Sequence, residues 1–321
     1  MITTRALTKV YDGTVAVQAL TMEIRSGEIF GLLGPNGAGK TTTVRMLAAL
    51  ISPTSGEAVI AGYRVGEQDA AIRRLVGIVT EAPGLYERLS ARENLEIYAK
   101  LYGVSNVARQ VEKYLRLLEL WDRRDDPVGT FSKGMKQKLA LARALVHEPK
   151  VLLLDEPTSG LDPQMTKVVR EFIADLKGQG RTILLCTHNL DEAERLCDRI
   201  LVLKTRPIAL DTPQALRRRL FGRRVIVTLE AVTDRILERV RALDFVLDVQ
   251  QEDRRLLIAL SDPERQNPIL VRALVEVGAA IRFLTEEEHS LEEIYLRLIE
   301  EDGGTSVLPS ASDRAEASSA R

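Results

Sequence analysis

The chain has 321 residues, 45% of them apolar, which is enough to bury a large core and, by length alone, suggests about two domains. Its 45 basic and 46 acidic residues nearly cancel, so no global field would draw it to nucleic acid or to acidic membranes. The two cysteines, Cys186 and Cys197, are too few for a disulfide framework and lack metal-ligand spacing, which indicates core thiols in a reducing, cytosolic compartment.

Neither the N-terminus nor any later segment has the pattern of a membrane-targeting element. No apolar core follows a basic start, so a secretion signal is not expected. No apolar run approaches the roughly 20 residues that cross a bilayer. We therefore do not expect the chain to span a membrane by itself.

Strand-like and helical patterns alternate as far as about residue 206. Strands are predicted at residues 28–33, 151–154, 181–186 and 200–203. Such alternation is typical of α/β proteins in which helices cover a mainly parallel sheet.

Two further helical patterns lie between the first and second of these strands. Ser90 and Glu93 have the spacing of a capping box, which predicts a helix that stops at Gly103. A second pattern covers residues 107–120. Together they predict an α-helical insert.

The composition changes near Arg223, where a second unit is predicted. Strands and helices follow in the order β-α-β-β-α-β, which is typical of a ferredoxin-like fold. Its second helix is expected to have Asn267 as its cap and Pro268 at its first position. A capping box of Ser290 and Glu293 predicts a last helix, and the Ser- and Ala-rich residues 303–321 are expected to be a disordered tail.

A glycine-rich motif joins the first of these strands to a helical run. Its pattern, G-x-x-x-x-G-K-[ST], lets backbone N–H groups surround phosphate oxygens, and the dipole of the following helix adds to the attraction. Lys40 is predicted to reach the β- and γ-phosphates of ATP, and the Thr41 hydroxyl to ligate Mg²⁺. The predicted nucleotide-binding residues of this loop are Gly34, Pro35, Asn36, Gly37, Ala38, Gly39, Lys40, Thr41 and Thr42.

Two adjacent carboxylates end the apolar segment VLLLDE. The carboxyl edge of an open parallel sheet is where ligands bind, so Asp155 and Glu156 are expected near the phosphate loop. Asp155 is predicted to hold Mg²⁺ through water, and Glu156 to orient and polarise the attacking water.

A second potential anion site lies in FSKGMKQKLALARAL. Ser132 is predicted to cap a helix, and Gly134 allows a close backbone approach. Because the helical insert separates this helix start from Lys40, one ATP cannot easily contact both within one chain. Two chains paired head to tail would let each Ser132 face the γ-phosphate held by the other.

These motifs, in this order, resemble the nucleotide-binding domain of an ATP-binding cassette (ABC) transporter, over residues 1 to about 210. In that family an aromatic residue stacks on adenine, and Tyr11 matches it, although a lone tyrosine is more often a packing residue. Asp162, in SGLD, matches the D-loop that crosses the dimer interface. His188 matches the switch histidine that contacts the γ-phosphate.

Two motifs depart from the family pattern. The usual Q-loop glutamine aligns with Glu81, which can still ligate Mg²⁺ but, when ionised, cannot donate a hydrogen bond. The usual signature LSGGQ reads FSKGM, so Met135 replaces an amide, while Ser132 and Gly134 remain.

The resemblance implies an α/β P-loop NTPase with a mainly parallel sheet, an antiparallel β subdomain and an α-helical subdomain at about residues 85–145. This ATPase domain is expected to cover residues 1–220, and a small α+β ferredoxin-like domain residues 221–302. The C-terminal unit resembles the appendage of drug, antibiotic and lipid-linked exporter ATPases of the daunorubicin-resistance kind.

The function that this resemblance implies is an ATP- and Mg²⁺-dependent ATPase subunit of an exporter. It would work as a homodimer on separate integral-membrane permease subunits, at the cytoplasmic face of the cell membrane and without a nucleic-acid partner. Only 92 positions separate Lys40 from Ser132 (132 minus 40), without sustained heptads, which argues against the coiled-coil DNA-repair relatives. The alternative is a soluble ABC-type ATPase that regulates a non-transport complex.

Overall fold

The computed structural model of the protein describes residues 1–287 and 289–303. The chain forms two compact units, and the boundary between them lies at Pro213 rather than after residue 220 as the sequence suggests. The reason is that the helix Pro213–Phe221 packs on the last helix, Leu291–Gly303, within the second unit. Beyond Gly303, the predicted disordered tail lies outside the described residues.

The first unit begins with strands and then alternates strands with helices. Its strands are β1 (Ile2–Tyr11), β2 (Thr14–Ile24), β3 (Ile29–Leu33), β4 (Ser55–Ile60), β5 (Tyr63–Arg64), β6 (Val76–Val79), β7 (Val151–Asp155), β8 (Thr182–Thr187), β9 (Arg199–Lys204) and β10 (Arg206–Asp211). Its helices are α1 (Lys40–Leu47), α2 (Asp69–Leu75), α3 (Ala91–Leu101), α4 (Val107–Leu117), α5 (Lys133–Leu145), α6 (Pro163–Gly178) and α7 (Leu190–Leu196).

A six-stranded sheet in the order β10-β9-β3-β8-β7-β6 forms the centre of this unit. All its neighbours pair in parallel except β10, which runs antiparallel to β9. Every residue of β3 and β7 is buried, as expected for strands that are covered on both faces. The predicted mainly parallel sheet is confirmed, and it brings the carboxyl ends of β3 and β7 to one edge.

A four-stranded antiparallel sheet, in the order β2-β1-β4-β5, joins the same hydrophobic core. Ile2 and Leu7 of β1 belong to the core cluster that also contains Phe30 of β3 and Met46 of α1. The antiparallel subdomain is therefore continuous with the core that supports the phosphate loop.

The helical insert consists of α3, α4 and α5, which pack on one another. The capping box at α3 is confirmed: Ser90 Oγ accepts a hydrogen bond from the N–H of Glu93 at 3.2 Å, and Glu93 Oε2 accepts one from the N–H of Ser90 at 2.8 Å. The helix ends before Gly103, whose φ of 70° a side-chain-bearing residue adopts at a cost.

The second unit contains α8 (Pro213–Phe221), β11 (Arg224–Leu229), α9 (Asp234–Arg241), β12 (Val246–Glu252), β13 (Arg255–Leu260), α10 (Pro263–Glu276), β14 (Ile281–Glu286) and α11 (Leu291–Gly303). Its antiparallel sheet has the order β12-β13-β11-β14, so the ferredoxin-like prediction is confirmed. Alternate residues of β11, from Val225 to Leu229, pack against Ile236 of α9 and Leu274 of α10 in one core.

The predicted start of α10 is wrong. The helix begins at Pro263, and Pro268 lies inside it rather than at its first position. Instead, Pro263 occupies the first position of the helix, about one turn earlier. A proline is tolerated best there, because the first N–H groups of a helix have no intrahelical partner. The Oδ1 of Asn267 caps nothing: it is buried and has no hydrogen-bond partner in the described part of the chain.

Within the described residues, no helix combines the length and the apolar composition that a membrane span requires. Cys186 and Cys197 are free and buried, which confirms the prediction of core thiols.

Candidate functional site

The loop between β3 and α1 can be built only with glycine at its two ends. A Cβ atom at Gly34 would lie 2.3 Å from the carbonyl oxygen of Leu203, and one at Gly39 would lie 2.4 Å from that of Ala16. Gly39 also has a φ of 100° where it precedes α1. The loop is thus pressed against β9 and β2, and its free backbone N–H groups can face an anion at the helix start.

Lys40 folds back over this loop. Its Nζ donates to the carbonyl oxygen of Gly34 at 2.7 Å and to that of Pro35 at 3.3 Å, and it lies 3.6 Å from Oε1 of Glu156. The side chain of Lys40 is only 7% exposed. A buried ammonium group held by carbonyl oxygens can exchange these contacts for phosphate oxygens, which carry more negative charge.

Asp155 ends β7 inside the sheet and is 1% exposed. Burial raises the pKa of its carboxyl group; the hydroxyl of Thr41 opposes this shift, and the charge of Glu156 adds to it. Oδ1 of Asp155 is buried without a hydrogen-bond partner among the described residues. An unpartnered carboxylate oxygen beside a threonine hydroxyl fits a hard divalent cation.

The possible cation ligands from the protein are few. Residues 1–287 and 289–303 contain no group of three or more His, Cys, Asp or Glu side chains arranged to hold a metal ion.

Glu156 follows Asp155 with a φ of 53°, an uncommon value for a residue with a side chain. Its N–H donates to the carbonyl oxygen of Cys186 at 2.9 Å, which fixes the turn against β8. Its carboxylate lies 2.8 Å from Nδ1 of His188 and accepts a longer bond, 3.4 Å, from the hydroxyl of Thr187. The turn thus aims the carboxylate away from the strand and towards the loop after β8.

These groups surround one cavity of about 200 Å³ at the carboxyl edge of the sheet. Its lining residues are Ala16, Pro35, Asn36, Gly37, Ala38, Gly39, Lys40, Thr41, Thr42, Glu81, Asp155, Glu156 and His188. Gly34 adjoins it through its bond to Lys40. Two residues near the cavity were not predicted from the sequence. Ala16 reaches it only because β2 folds next to the loop, and the sole signal for Thr187 is its position before His188.

Besides Gly34, four predicted residues do not line this cavity. Tyr11 is 41% exposed, with Nζ of Lys9 5.1 Å from its ring centre. Ser132 caps α5 by accepting from the N–H of Met135 at 3.3 Å, and Asp162 caps α6 by accepting from the N–H of Met165 at 2.8 Å. Gly134 lies beside Met165, whose Cγ would be 2.9 Å from an added Cβ atom.

The starts of α5 and α6 therefore form a second group, which we call the α5–α6 surface: residues 132–135 and 159–165. Its two loops touch, since a Cβ atom at Gly160 would lie 1.9 Å from Nζ of Lys133. Lys133 occupies one of the positions that depart from the LSGGQ pattern, and its contact with the SGLD turn was not predicted.

Comparison with known proteins gives consistent matches over both units. The family model "ABC transporter" matches residues 17–159, and that of the "ATP-binding protein DrrA1-3-like, C-terminal domain" matches residues 212–299. The Nod factor export ATP-binding protein I of Rhizobium sp. (strain N33) is 36% identical over 90% of this chain and 94% of its own. The linearmycin resistance ATP-binding protein of Bacillus subtilis (strain 168) is 33% identical over 93% and 98%.

Solved structures resemble the first unit. An ATP-binding subunit of an ABC transporter superimposes with a TM-score of 0.64 and 35% identity, over 69% of this chain and 94% of that one. A dimeric, post-hydrolysis ATP-binding cassette bound to ADP and Pi gives a TM-score of 0.62 and 26% identity, over 66% and 98%.

Proposed function

This chain belongs to the ABC transporter family as one of its ATP-binding, ATP-hydrolysing subunits, and we propose that it drives an exporter as a head-to-tail homodimer. ATP binding closes the dimer, and hydrolysis reopens it. The cycle powers export of a drug, lipid or similar substrate through separate integral-membrane subunits, which hold this chain at the cytoplasmic face of the membrane.

Export is supported by the relatives and by the second unit. The similar proteins are named for Nod factor export and linearmycin resistance, and residues 212–299 match the C-terminal domain of a DrrA-like ATP-binding protein. These matches span both units, so the proposal covers the whole described chain rather than the ATPase unit alone.

The observation that carries the dimer is the separation of the cavity from the α5–α6 surface. Lys40, Asp155 and Glu156 share one cavity, while Ser132 and Gly134 do not line it. A second copy related by a two-fold axis would set its α5–α6 surface over the cavity, and the first copy would do the same in return. Dimeric cassettes among the similar solved structures support this arrangement.

The cavity residues have distinct proposed roles towards ATP. Backbone N–H groups of residues 34–42 and the ammonium group of Lys40 bind the phosphates. Thr41, Asp155 and Glu81 hold Mg²⁺, which when bound offsets the charge on the phosphate oxygens. Tyr11 stacks on the adenine ring, outside the cavity, and Asp162 crosses the dimer interface.

Glu156 is the proposed base for the attacking water. Its turn places the carboxylate 2.8 Å from Nδ1 of His188, so the imidazole fixes the orientation of the carboxylate. Glu156 accepts a proton from water as the water oxygen attacks the γ-phosphorus, and the bond from that phosphorus to the β,γ-bridging oxygen breaks, so that ADP is the leaving group. His188, whose side chain is 59% exposed at the mouth of the cavity, is then free to contact the γ-phosphate with its other ring nitrogen.

The variant Glu156→Gln tests this scheme. Closure requires the γ-phosphate and reopening requires its loss, so the variant is expected to retain ATP and accumulate as a closed dimer. Size-exclusion chromatography with ATP and Mg²⁺ measures this, and the same variant with ADP should elute as a monomer. Glu171→Gln, on the exposed face of α6, is the matched control and should stay monomeric. A Glu156→Gln variant that remains monomeric under saturating ATP contradicts the scheme.

Isolation from native membranes tests the partner. Co-purification of a multi-helix membrane subunit supports export, whereas a complex found only in the soluble fraction supports a non-transport ATPase.

A further inference from the structure

Glu192 is a buried carboxyl group close to the cavity, but it does not line it. It lies in the first turn of α7, is 0% exposed, and accepts a hydrogen bond from the hydroxyl of Thr158 at 2.9 Å. Oε2 of Glu192 is buried and has no hydrogen-bond partner among the described residues. Burial raises the pKa of this carboxyl group, and the hydroxyls of Thr158 and Thr187 oppose the shift.

The two hydroxyls belong to different loops. Thr158 follows Glu156 by two residues in the turn after β7, and Thr187 ends β8 directly before His188. The carboxyl group of Glu192 therefore lies between the loop that carries Glu156 and the loop that carries His188.

The contacts close a ring. His188 bonds to Glu156, the chain leads from Glu156 to Thr158, and Thr158 bonds to Glu192. From Glu192 the ring returns through Asn189, which caps α7 by accepting from the N–H of Glu192 at 3.1 Å. Breaking the bond between Thr158 and Glu192 would remove the link between the turn after β7 and α7, and would leave only the contacts that Glu156 itself makes with Cys186, Thr187 and His188.

A stabilising role does not explain this arrangement. Burying a carboxyl group with an unpartnered oxygen lowers folding stability. Residues that break the rules of stable packing are expected at functional sites. Glu192 lies behind the two loops that carry Glu156 and His188, which indicates that its burial supports the alignment of these two residues.

We propose that Glu192 is a positioning residue for ATP hydrolysis: it holds Thr158 so that the turn after β7 keeps Glu156 aligned with His188. The inference rests on the proposed role of Glu156 as the base. Glu192 itself does not line the cavity.

The test compares Glu192→Ala, Thr158→Val and the double variant, with steady-state ATP hydrolysis and titration of a fluorescent ATP analogue. Misplacing a reacting group by about 1 Å can lower a rate about 100-fold, so each single variant should lower kcat about 10- to 100-fold. KM and the analogue Kd should stay within about twofold, because the phosphate loop is untouched. The double variant should match the slower single variant within about twofold, since both changes remove one interaction.

Conservative variants separate positioning from packing. Glu192→Gln keeps an oxygen that accepts from Thr158, and Thr158→Ser keeps the hydroxyl, so both should retain kcat within about threefold. Asp191→Asn is the matched control on the same turn; Asp191 is exposed and pairs with Arg170 and Arg195. It should keep its kcat even where it lowers Tm.

The outcomes decide between explanations. Should Glu192→Ala fail to fold, Thr158→Val and Glu192→Gln decide alone. Normal kcat in Thr158→Val overturns the inference, and so does a drop in kcat of Glu192→Gln as large as that of Thr158→Val. Failure of the proposed function has a different signature: Glu156→Gln would then hydrolyse ATP at the normal rate.

Discussion

The cavity and the α5–α6 surface each contain the N-terminus of a helix, but they differ in how their polar side chains are hydrogen-bonded. In the cavity, Oδ1 of Asp155 has no hydrogen-bond partner among the described residues, and Lys40 is held by carbonyl oxygens that phosphates can replace. At the α5–α6 surface, Ser132 and Asp162 each accept a bond from their own helix.

This difference indicates what each region can do alone. The cavity leaves hydrogen-bonding and charge capacity unused inside a single chain, so it can bind a nucleotide without help. At the α5–α6 surface the capping oxygens are satisfied within the chain, while the hydroxyl proton of Ser132, the ammonium group of Lys133 and free backbone N–H groups remain to meet an anion from outside. The first region is expected to determine nucleotide affinity, and the second the rate of hydrolysis.

The largest effect is expected from Ser132→Asp. Aspartate caps a helix as well as serine does, so Tm should not fall. The added negative charge would face the γ-phosphate of the partner, and opposed like charges cost several kcal/mol, so ATPase activity should drop at least about 100-fold. The Kd of a fluorescent ATP analogue for the single chain should stay within about twofold.

Ser90→Asp provides the control for Ser132→Asp, because Ser90 caps α3 in the same unit. It should keep full activity. If Ser132→Asp binds ATP at least tenfold more weakly in the monomer, both regions act on the nucleotide within one chain, and affinity and hydrolysis are not divided between them.

A smaller effect is expected where the helical insert meets the sheet. Glu148 accepts a hydrogen bond from Gln110 of α4 at 2.8 Å, and it also accepts from Lys113 of α4 and from Arg181, which precedes β8. Burial alone would raise the pKa of Glu148, but the hydrogen bonds of Lys113, Arg181, Gln110 and Tyr114 outweigh it and lower the pKa to about 2. Glu148 therefore links α4 of the helical insert, which also contains α5 and its cap Ser132, to the segment before β8 in the central sheet.

The variant Glu148→Gln should lower the free energy of unfolding at pH 7. A shift from 4.5 to about 2 would be about 3 kcal/mol for a fully buried group, but the side chain is 42% exposed, so screening reduces the expected loss to about 1 kcal/mol. Because the folded-state pKa is lowered, this stability is present above about pH 4.5 and is lost as the pH falls through about 2.

Urea denaturation of wild type and Glu148→Gln at pH 7 and pH 3 measures this effect. The gap between the two proteins should shrink at pH 3. Glu112→Gln, which removes only the exposed pair with Arg116, should change stability little at either pH. An undiminished gap at pH 3 would show that Glu148 acts through packing rather than charge.

Local signals predicted much of this structure. The capping box of Ser90 and Glu93 depends on neighbouring residues, and so does the turn chemistry of the phosphate loop, which is why a single sequence reveals both. The buried strand β7 is recognisable as an apolar run, and the position of its last residue, Asp155, at the carboxyl edge of the sheet follows from the parallel topology.

What the sequence did not reveal depends on contacts between distant segments. Ala16 reaches the cavity through the packing of β2 on the phosphate loop, and the bond of Thr158 to Glu192 joins positions 34 residues apart. The start of α10 was misplaced because two prolines each match a helix start, and only the folded chain distinguishes Pro263 from Pro268. The domain boundary moved to Pro213 because α8 packs on α11, a contact that local composition does not encode.

The smallest effect is expected from Met135→Gln, which restores the amide of the family signature. Ser132 bonds to the backbone N–H of Met135, not to its side chain, and methionine and glutamine have similar helix propensities, so the cap and Tm should be preserved. If the α5–α6 surface acts through Ser132 and backbone groups, kcat should change by no more than about twofold.

Met165→Gln makes a useful contrast, because Met165 packs against Gly134 and a polar group there should disturb the helix start. A tenfold gain in kcat for Met135→Gln would instead mean that a side-chain amide at this position contacts the nucleotide, and that the substitution in this chain holds its hydrolysis rate down.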